Sequence, residues 1–430
     1  MLGHQVVVKL NHNLKTKNML NKIVLIITII LVILIGFFGY IYLTQENPND
    51  GVEGVVSTVR NFFPFGQEST VSETTNQTTN ETPAETTSEP KTPPKFRQIF
   101  SSPVAGAEAF TVGSSTVIRF VEKSTGNIFE AKTEIDTINR ISNTTIPKIT
   151  EVSFVQSGSV LMRYLRDDTD MIETILGNLS TSTNATSTTS SLNEVESTYL
   201  TPNIKDVAMS PKKDKIFYTT QSESGMIGTI SNPDGTKGVS VFNSPIREWN
   251  TSWPKIDTIT LTTKADSEAL GYMYTINTVT GKSERVLGDI LGLTTLTNPT
   301  ASTTIYNQND QDGNTYLNTY DIKTKTSSPI KPTTLTEKCV WSKKDAGILY
   351  CAVPNSITKG SYPEKWYQGL VSFSDSIWKI DTKTGKTDML INIKEVSGKD
   401  LDIVNPALDE KEKLFIFSNK TDLSLWSFEL

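Results

Sequence analysis

Trp341-Ser-Lys-Lys-Asp-Ala-Gly-Ile-Leu-Tyr350 combines a hydrophobic anchor, a polar turn and an apolar strand, and this combination recurs along the chain. Ser210-Pro-Lys-Lys-Asp-Lys-Ile-Phe-Tyr218 has the same order of features. Successive anchors, each near the end of a short β-like run, are separated by 44, 55, 44, 44, 44 and 66 residues. A period of about 40–45 residues with several short strands per unit is typical of β-propeller blades. The seven anchors are Phe110, Phe154, Met209, Trp253, Thr297, Trp341 and Ala407.

Each unit also carries a second tight turn, as in the segments that end at Gly281 and Gly385. Glycine suits such turns because hairpins require a positive φ. Each unit therefore predicts a four-stranded antiparallel sheet. The two long intervals contain the insertions 180–191, rich in Ser and Thr, and 354–375, rich in Pro, Ser and aromatic residues.

The last unit is too short to form a whole blade. Only 23 residues follow Ala407, which is room for two more strands, at Lys413–Ser418 and Leu423–Leu430. We expect Phe96–Ser101 to supply the missing outer strand and close the ring, leaving no open sheet edge. The predicted fold is therefore all-β, a seven-bladed propeller over residues 96–430. A pair of open β-sandwich sheets is the alternative.

The two quoted segments resemble the blades of TolB-type, WD40-like propellers, whose repeat reads W-S-P-D-G-x-x-I-x-Y. The pattern extends over residues 96–430, although the letters match in only three or four blades, and lysine replaces the turn glycine in two of them. The hydrophobic segment, the linker and Pro103-Val-Ala-Gly-Ala107 also resemble membrane-anchored propellers of candidate-phyla bacteria. That second resemblance implies no particular activity.

A hydrophobic segment near the N-terminus predicts a membrane anchor. Ile23–Leu43 has no charged residue and is long enough to cross a bilayer as a helix. Four lysines and no acid precede it, whereas acids follow it, so we expect residues 1–22 in the cytoplasm and the rest of the chain outside the cell membrane. A cleaved signal peptide is the alternative, which the length of the apolar run disfavours.

Residues 44–95 are predicted to be an extracytoplasmic spacer. The part from Gly66 to Lys95 is almost wholly Thr, Ser, Glu, Asn, Gln and Pro, a composition that cannot bury apolar surface. Gly51–Phe65 is either a short interfacial helix or a simple linker. Beyond the four N-terminal lysines, 37 basic residues face 47 acidic ones, without a basic stripe, so nucleic acid is excluded as an expected partner.

The only two cysteines, Cys339 and Cys351, are predicted to form a disulfide. A hairpin that pairs Ser342 with Ile348 places the two cysteines opposite each other on one face. An oxidising exterior favours the bond. Two free buried thiols are the alternative.

The chain offers little sign of catalysis. Its two histidines, His4 and His12, precede the hydrophobic segment, so the exterior domain has no Ser-His-Asp triad, Cys-His pair or histidine metal site. We expect no catalytic residues, cofactor or metal. Residues 307–314 faintly resemble a calcium loop but fail the EF-hand pattern, so a hairpin turn is the better interpretation; weak calcium binding stays open.

The candidate binding residues lie on one predicted face. Loops that join an outer strand to the next inner strand share a face with loops between second and third strands, and long aromatic loops on rigid scaffolds often carry recognition. We predict that Trp366 and Tyr367 lead this site, unless the insertion folds back as a lid over its blade. The full candidate set is Trp366, Tyr367, Tyr362, Trp249, Asp310 and Asp312.

The sequence therefore predicts a non-catalytic, membrane-anchored module whose partner is an envelope protein or a glycan. A histidine-independent carbohydrate-active enzyme is one alternative, because glycosidases need only two carboxylates. A structural scaffold within an envelope complex is the other.

Overall fold

The computed structural model describes residues 93–112, 115–155, 158–180 and 194–430. The predicted cytoplasmic tail, transmembrane helix and most of the spacer lie outside these residues, as does most of the 180–191 insertion. Among the residues described, no helix has both the length and the apolar character needed to cross a bilayer. The anchor at 23–43 therefore stays a prediction.

The described chain is built almost entirely from β-strands. They are β1 (Phe96–Phe100), β2 (Val104–Val112), β3 (Ser115–Glu122), β4 (Ile128–Lys132), β5 (Ile138–Arg140), β6 (Ile149–Phe154), β7 (Val160–Leu165), β8 (Ile172–Ser180), β9 (Glu194–Tyr199), β10 (Ile204–Met209), β11 (Ile216–Ser222), β12 (Gly225–Ser231), β13 (Val239–Ser244), β14 (Trp249–Lys255), β15 (Thr258–Thr263), β16 (Leu270–Asn277), β17 (Ser283–Leu291), β18 (Thr295–Thr297), β19 (Thr303–Asn309), β20 (Thr315–Asp321), β21 (Thr326–Ile330), β22 (Cys339–Trp341), β23 (Ile348–Pro354), β24 (Asp375–Asp381), β25 (Thr387–Asn392), β26 (Ile403–Leu408), β27 (Leu414–Asn419) and β28 (Leu425–Glu429). Helices are short: α1 (Glu364–Tyr367), α2 (Ile393–Ser397) and a 3-10 turn at Thr336–Lys338.

These strands form seven four-stranded antiparallel sheets, as the repeat predicts. Blades 1 to 6 use consecutive sets of four strands, from β2–β5 to β22–β25. Every hydrophobic anchor lies in the innermost strand of its blade, at its last residue or within two residues of it. The all-β, seven-bladed propeller is therefore confirmed.

Blade 7 is completed by the first strand of the domain. Its order is β1-β28-β27-β26, so the outer strand comes from the start of the domain and the other three from its end. Phe96 pairs with Phe428, and its ring stacks on Trp426 at 5.4 Å between centroids. The predicted closing strand is confirmed, and it gives blade 7 its fourth strand.

The hydrophobic core lies between neighbouring blades. Tyr350 and Ile377 of blade 6 pack with Phe415, Phe417 and Trp426 of blade 7. Each sheet is covered on both faces, so a strand inside the blade such as β27 consists mainly of buried apolar residues. An outer strand such as β5 is exposed to solvent. Each buried side chain of this size contributes about 1.5–3 kcal/mol.

The predicted disulfide is present. Cys339 of β22 and Cys351 of β23 are directly opposed in the register and are bonded, with Cα atoms 4.1 Å apart. Both side chains are buried against Trp341, Leu349 and Ile380. The bond therefore ties the two innermost strands of blade 6 together.

One lysine that replaces the turn glycine of the TolB-type repeat adopts the glycine conformation. Lys213 has φ 56°, in the left-handed region. Its ammonium forms an ion pair with Glu108 of blade 1 and lies 5.2 Å from the ring centroid of Phe110. These contacts between blades offset the strain that a side chain meets at positive φ.

Candidate functional site

The predicted binding residues all lie at one face of the ring, which we call the loop face. It is formed by the connections between successive blades and by the hairpins between second and third strands. Trp249 begins an inner strand there, and Asp310 and Asp312 lie in the hairpin between β19 and β20. The other candidates belong to the long segment 355–374 between β23 and β24, which we call the insertion.

The insertion folds across its neighbours rather than projecting into solvent. The Gly360 amide donates to the Gly313 carbonyl of blade 5 at 2.9 Å. Asn309 of blade 5 donates to the Tyr362 carbonyl, and Glu364 accepts from the Ser267 amide of blade 4. The insertion therefore covers the loop face from blade 6 to blade 4.

Two of the three aromatic candidates in the insertion are buried. Trp366 is 3% exposed and Tyr362 is 1% exposed. Both pack with Leu335 and Phe373 in a hydrophobic cluster beneath the insertion. A ligand could not contact either ring without movement of the insertion, so this arrangement matches the lid that the sequence left open as an alternative. Their part in binding stays a prediction.

Tyr367 is the exposed member of the group, at 39%. Its hydroxyl donates to Glu337 in the connection between blades 5 and 6. Burial raises the pKa of Glu337, and burial together with the Glu337 charge raises the pKa of Tyr367. The hydroxyl is therefore held as a neutral donor to a neighbouring carboxylate.

Beneath Trp366 lies a buried cluster of charges that the sequence did not indicate. The Lys338 ammonium is 2.6 Å from Asp375 Oδ2 and 2.5 Å from Asp402 Oδ1. The Trp366 indole N–H donates to both oxygens of Asp402 at 3.0 Å. The three charged residues come from two blade connections and the start of β24, and all three are almost inaccessible to solvent. Only the folded ring brings them together.

Asp310 is occupied by its own hairpin. Its carboxylate accepts hydrogen bonds from the Asn314 side chain and amide, the Asp312 amide and the Tyr316 hydroxyl. These donors, led by the Asn314 side chain, lower its pKa to about 2. The segment 307–314 is thus a tight turn, with Gly313 at φ 78°. In the part of the chain that is described, no group of three or more His, Cys, Asp or Glu side chains could hold a metal ion.

Trp249 is also buried, and its indole N–H donates to the Ile246 carbonyl at 3.0 Å. It borders a cleft of about 380 Å³ that includes Lys205, Asp206 and Arg247. Burial raises the pKa of Asp206 to about 6, against the lowering effect of the Thr251 amide, which donates to its Oδ2 at 2.6 Å.

An open groove of about 830 Å³ lies on the loop face over blade 2. Its apolar part includes Tyr199 and Leu165, which are 64% and 47% exposed, together with Tyr164. A cleft of about 410 Å³ shares three lining residues with it and extends the lining to Pro103 and to Lys123 of blade 1. We call the two together the blade 2 groove.

Ion pairs line the charged side of the blade 2 groove. Arg166 donates to both oxygens of Asp168, at 2.9 and 2.7 Å, and lies 3.3 Å from Glu173. Lys148 pairs with Asp167 at 2.5 Å. Hydrogen bonds from Arg166 lower the pKa of Asp168, so this carboxylate stays ionised.

The candidate set predicted from the sequence did not include Tyr164, Leu165 or Tyr199, which line the groove. Each of the three lies at or next to the last residue of a β-strand. An apolar or aromatic side chain in a strand is normally predicted to belong to the hydrophobic core. The exposure of Leu165 and Tyr199 at these strand ends becomes visible only in the structure.

Comparisons with known proteins identify the fold only. No protein-family model and no curated protein matches the chain. Similar solved structures include TolB from Acinetobacter baumannii, with 11% identity and a TM-score of 0.40 over 62% of this chain; the match spans 59% of the TolB chain. The chain is thus distantly similar in fold to TolB, while the propeller itself is shown by the seven four-stranded sheets.

Two further structures cover more of the domain. The β-propeller domain of the Trilobed protease from Pyrococcus furiosus matches with 12% identity and a TM-score of 0.49, over 76% of this chain and 95% of that one. Oligogalacturonate lyase from Vibrio parahaemolyticus matches with 7% identity and a TM-score of 0.51, over 77% and 91%. The protease domain is described as having an open velcro topology, whereas β1 closes the ring here. At these identities the likeness is one of fold alone.

Proposed function

We propose that the propeller is a non-catalytic binding module that holds a protein or glycan ligand in the blade 2 groove. The observation that carries this proposal is the division of the loop face into two halves. The insertion covers blades 4 to 6, while the groove over blade 2 stays open and exposes Tyr199 and Leu165. Its volume is within the range of ligand sites, and tyrosines contribute strongly to recognition.

At Asp310 and in the blade 2 groove, the state of the carboxylates favours binding over glycoside hydrolysis; Asp206, whose pKa burial raises to about 6, lies in the separate cleft beside Trp249. A glycosidase needs a general acid that is protonated near neutral pH. The pKa values of Asp310 and Asp168 are instead lowered by hydrogen bonds from their neighbours. Asp375, whose pKa is raised to about 6, is buried beneath the insertion and beyond the reach of a glycan.

The segment at 23–43 supports the further proposal that this module is held at the cell membrane with its propeller outside. Its composition and the lysines before it are the basis. Membrane fractions washed with alkaline carbonate should retain the full chain and lose a variant that lacks residues 1–44. Release of the full chain by the wash would contradict anchoring by this segment.

The binding proposal is tested by the full chain in detergent, used to capture ligands from solubilised envelope and from a panel of immobilised glycans. Tyr199→Ala removes the exposed ring of the groove. Tyr316→Ala is the matched control, because it removes a partly exposed tyrosine from the same face over blade 5.

A ligand that is retained by the wild type and by Tyr316→Ala, but lost by Tyr199→Ala, would support the groove as the site. Equal capture by all three proteins would place the site elsewhere and overturn the assignment to blade 2. Turnover of a captured glycan would contradict a non-catalytic function.

A further inference from the structure

The buried cluster beneath Trp366 places an amine directly against two carboxylates. Lys338 Nζ lies 2.6 Å from Asp375 Oδ2 and 2.5 Å from Asp402 Oδ1, and it also donates to the Ile403 carbonyl at 3.1 Å. The side chains of Lys338 and Asp375 are fully inaccessible to solvent, and that of Asp402 is nearly so. Two carboxylates facing one ammonium leave a net negative charge inside the protein, an arrangement that is costly to bury.

The two carboxylates have different surroundings. Asp402 accepts from the indole N–H of Trp366 and, at 3.2 Å, from the Ser372 hydroxyl and the Phe373 amide. Both of its oxygens are thus hydrogen-bonded, and its Oδ1 lies 2.5 Å from Lys338 Nζ. Asp402 is therefore placed to accept a proton from that amine.

Asp375 is poorly satisfied by comparison. Its Oδ2 accepts from Lys338 and, at 2.7 Å, from the Ile403 amide, whereas its buried Oδ1 has no hydrogen-bond partner. Burial raises its pKa to about 6, although the charge of Lys338 opposes this shift. Asp375 is therefore the carboxyl group that takes up a proton more readily.

Aromatic rings enclose the amine. Lys338 Nζ lies 5.0 Å from the ring centroid of Trp366 and 5.1 Å from that of Phe373. Transfer of one proton from the Lys338 ammonium to Asp375, 2.6 Å away, gives a neutral amine and a neutral acid and removes two charges from this enclosure. A neutral amine is a nucleophile, and a protonated carboxyl is an electrophile.

We propose that Lys338 and Asp375 join in an intramolecular isopeptide bond, with Asp402 as the catalytic proton acceptor. The Lys338 amine gives a proton to Asp402, and its nitrogen attacks Cγ of protonated Asp375. The Ile403 amide, which already donates to Oδ2, stabilises the oxygen that becomes negative in the tetrahedral intermediate. Oδ1 then takes up the proton from Asp402 and leaves as water.

The step balances without a further reactant. An ammonium and a carboxylate become an amide and one water molecule, so the nitrogen–carbon bond replaces one carbon–oxygen bond. Asp402 begins and ends as a carboxylate, and no electrons are gained or lost. The net charge of the cluster is unchanged.

The bond would complement the disulfide beside it. Cys339–Cys351 ties β22 to β23, and Lys338 directly precedes Cys339. A link from Lys338 to Asp375 would tie the same connection to the first residue of β24, where the insertion ends. Three strands of blade 6 and the base of the insertion would then be joined covalently.

The decisive measurement is the intact mass of the full chain, purified in detergent and reduced at its disulfide. We expect a mass that is lower than the sequence mass by one water molecule. Proteolysis and tandem mass spectrometry should then locate the loss in a branched peptide that joins Lys338 to Asp375. The exposed pair Lys383 and Asp345, 2.9 Å apart, is an internal control that should remain unlinked because water solvates both groups.

Loss of water could also arise by succinimide formation at Asp50-Gly51, Asp234-Gly235 or Asp312-Gly313. A succinimide is hydrolysed by mild alkali, whereas the amide is not, so a loss that persists after alkali and maps to the branched peptide supports the proposal. A wild-type chain at its full sequence mass, or a loss that maps only to those glycine sites, overturns it.

Two variants separate the chemistry from the fold. Lys338→Met should abolish the branched peptide, because it removes the nucleophile. Asp402→Asn keeps the size of the side chain but removes the proton acceptor, and it should slow the reaction about 100-fold or more. Branched peptide formed by Asp402→Asn at the wild-type rate would refute the role of Asp402.

Discussion

Replacement of Trp366 by alanine tests whether the insertion is held down by its buried ring. The side chain is 3% exposed, and removal of a buried tryptophan costs about 3–5 kcal/mol in unfolding free energy. Asp402 would also lose the indole N–H that reaches both of its oxygens. A hydrogen bond to a charged group contributes about 1.5–3 kcal/mol. Part of this contribution is already included in the cost of removing the buried tryptophan. We therefore expect Trp366→Ala to lower the stability by about 4 kcal/mol.

Trp366→Phe divides this loss into its parts. Phenylalanine keeps most of the buried surface but has no N–H, so we expect a loss of about 1.5–3 kcal/mol. Leu370→Ala is the control, because Leu370 lies in the same insertion and is 70% exposed. A change at such a position is usually within about 0.5 kcal/mol.

The assay is urea unfolding of the fragment 93–430, which contains all seven blades, followed by tryptophan fluorescence and circular dichroism. If Trp366→Ala and Leu370→Ala were equally stable, the ring would not be packed as described. The residue would then return as a candidate for direct ligand contact.

Three further predictions concern other parts of the ring. At equivalent turns of blades 5 and 6, Lys325 (φ 58°) and Gly385 (φ 74°) have left-handed backbones. In urea unfolding, Lys325→Gly should stabilise the fragment and Gly385→Ala should destabilise it, by about 1 kcal/mol each. Two effects of the same sign would contradict this prediction. Reduction of Cys339–Cys351 should lower the unfolding free energy by about 2–3 kcal/mol, whereas a double alanine variant should be insensitive to reductant. Because the folded pKa of Asp206 is about 6, above its unfolded value, its contribution to stability should fall by about 2 kcal/mol as the pH rises from about 4 to about 6. Unfolding across that range should therefore show a fall that is smaller by this amount in Asp206→Asn than in the wild type, and equal falls would contradict the prediction.

The repeat could be predicted because its cause is local. A strand that is covered on both faces needs a continuous run of apolar residues, and a hairpin needs residues that can adopt the backbone conformation of its turn. The anchors and turn residues of each blade can therefore be recognised in the sequence. The register that pairs Ser342 with Ile348 also follows from one turn. It correctly placed Cys339 opposite Cys351.

The site could not be predicted in the same way. Whether Trp366 points outward or inward depends on Lys338 and Asp402, which come from other connections and meet only in the closed ring. Tyr199 ends β9 and is 64% exposed, which its neighbours in the sequence do not indicate. Aromatic content alone therefore could not decide between an exposed insertion and a lid, and the part of Trp366 and Tyr367 in binding stays a prediction.

The closing strand has a mechanical consequence. The link from β1 to β2 is at the loop face, so the Phe96 end of β1 is at the opposite face, where a tether from residue 95 would pull. A ligand held in the groove and a tether at the other side would load β1 along its own axis. Force in that direction strains the pairs from Phe96–Phe428 to Phe100–Leu425 together, rather than opening them one by one. The seam that closes the ring is therefore the joint that would set how much tension the protein withstands between its two attachments.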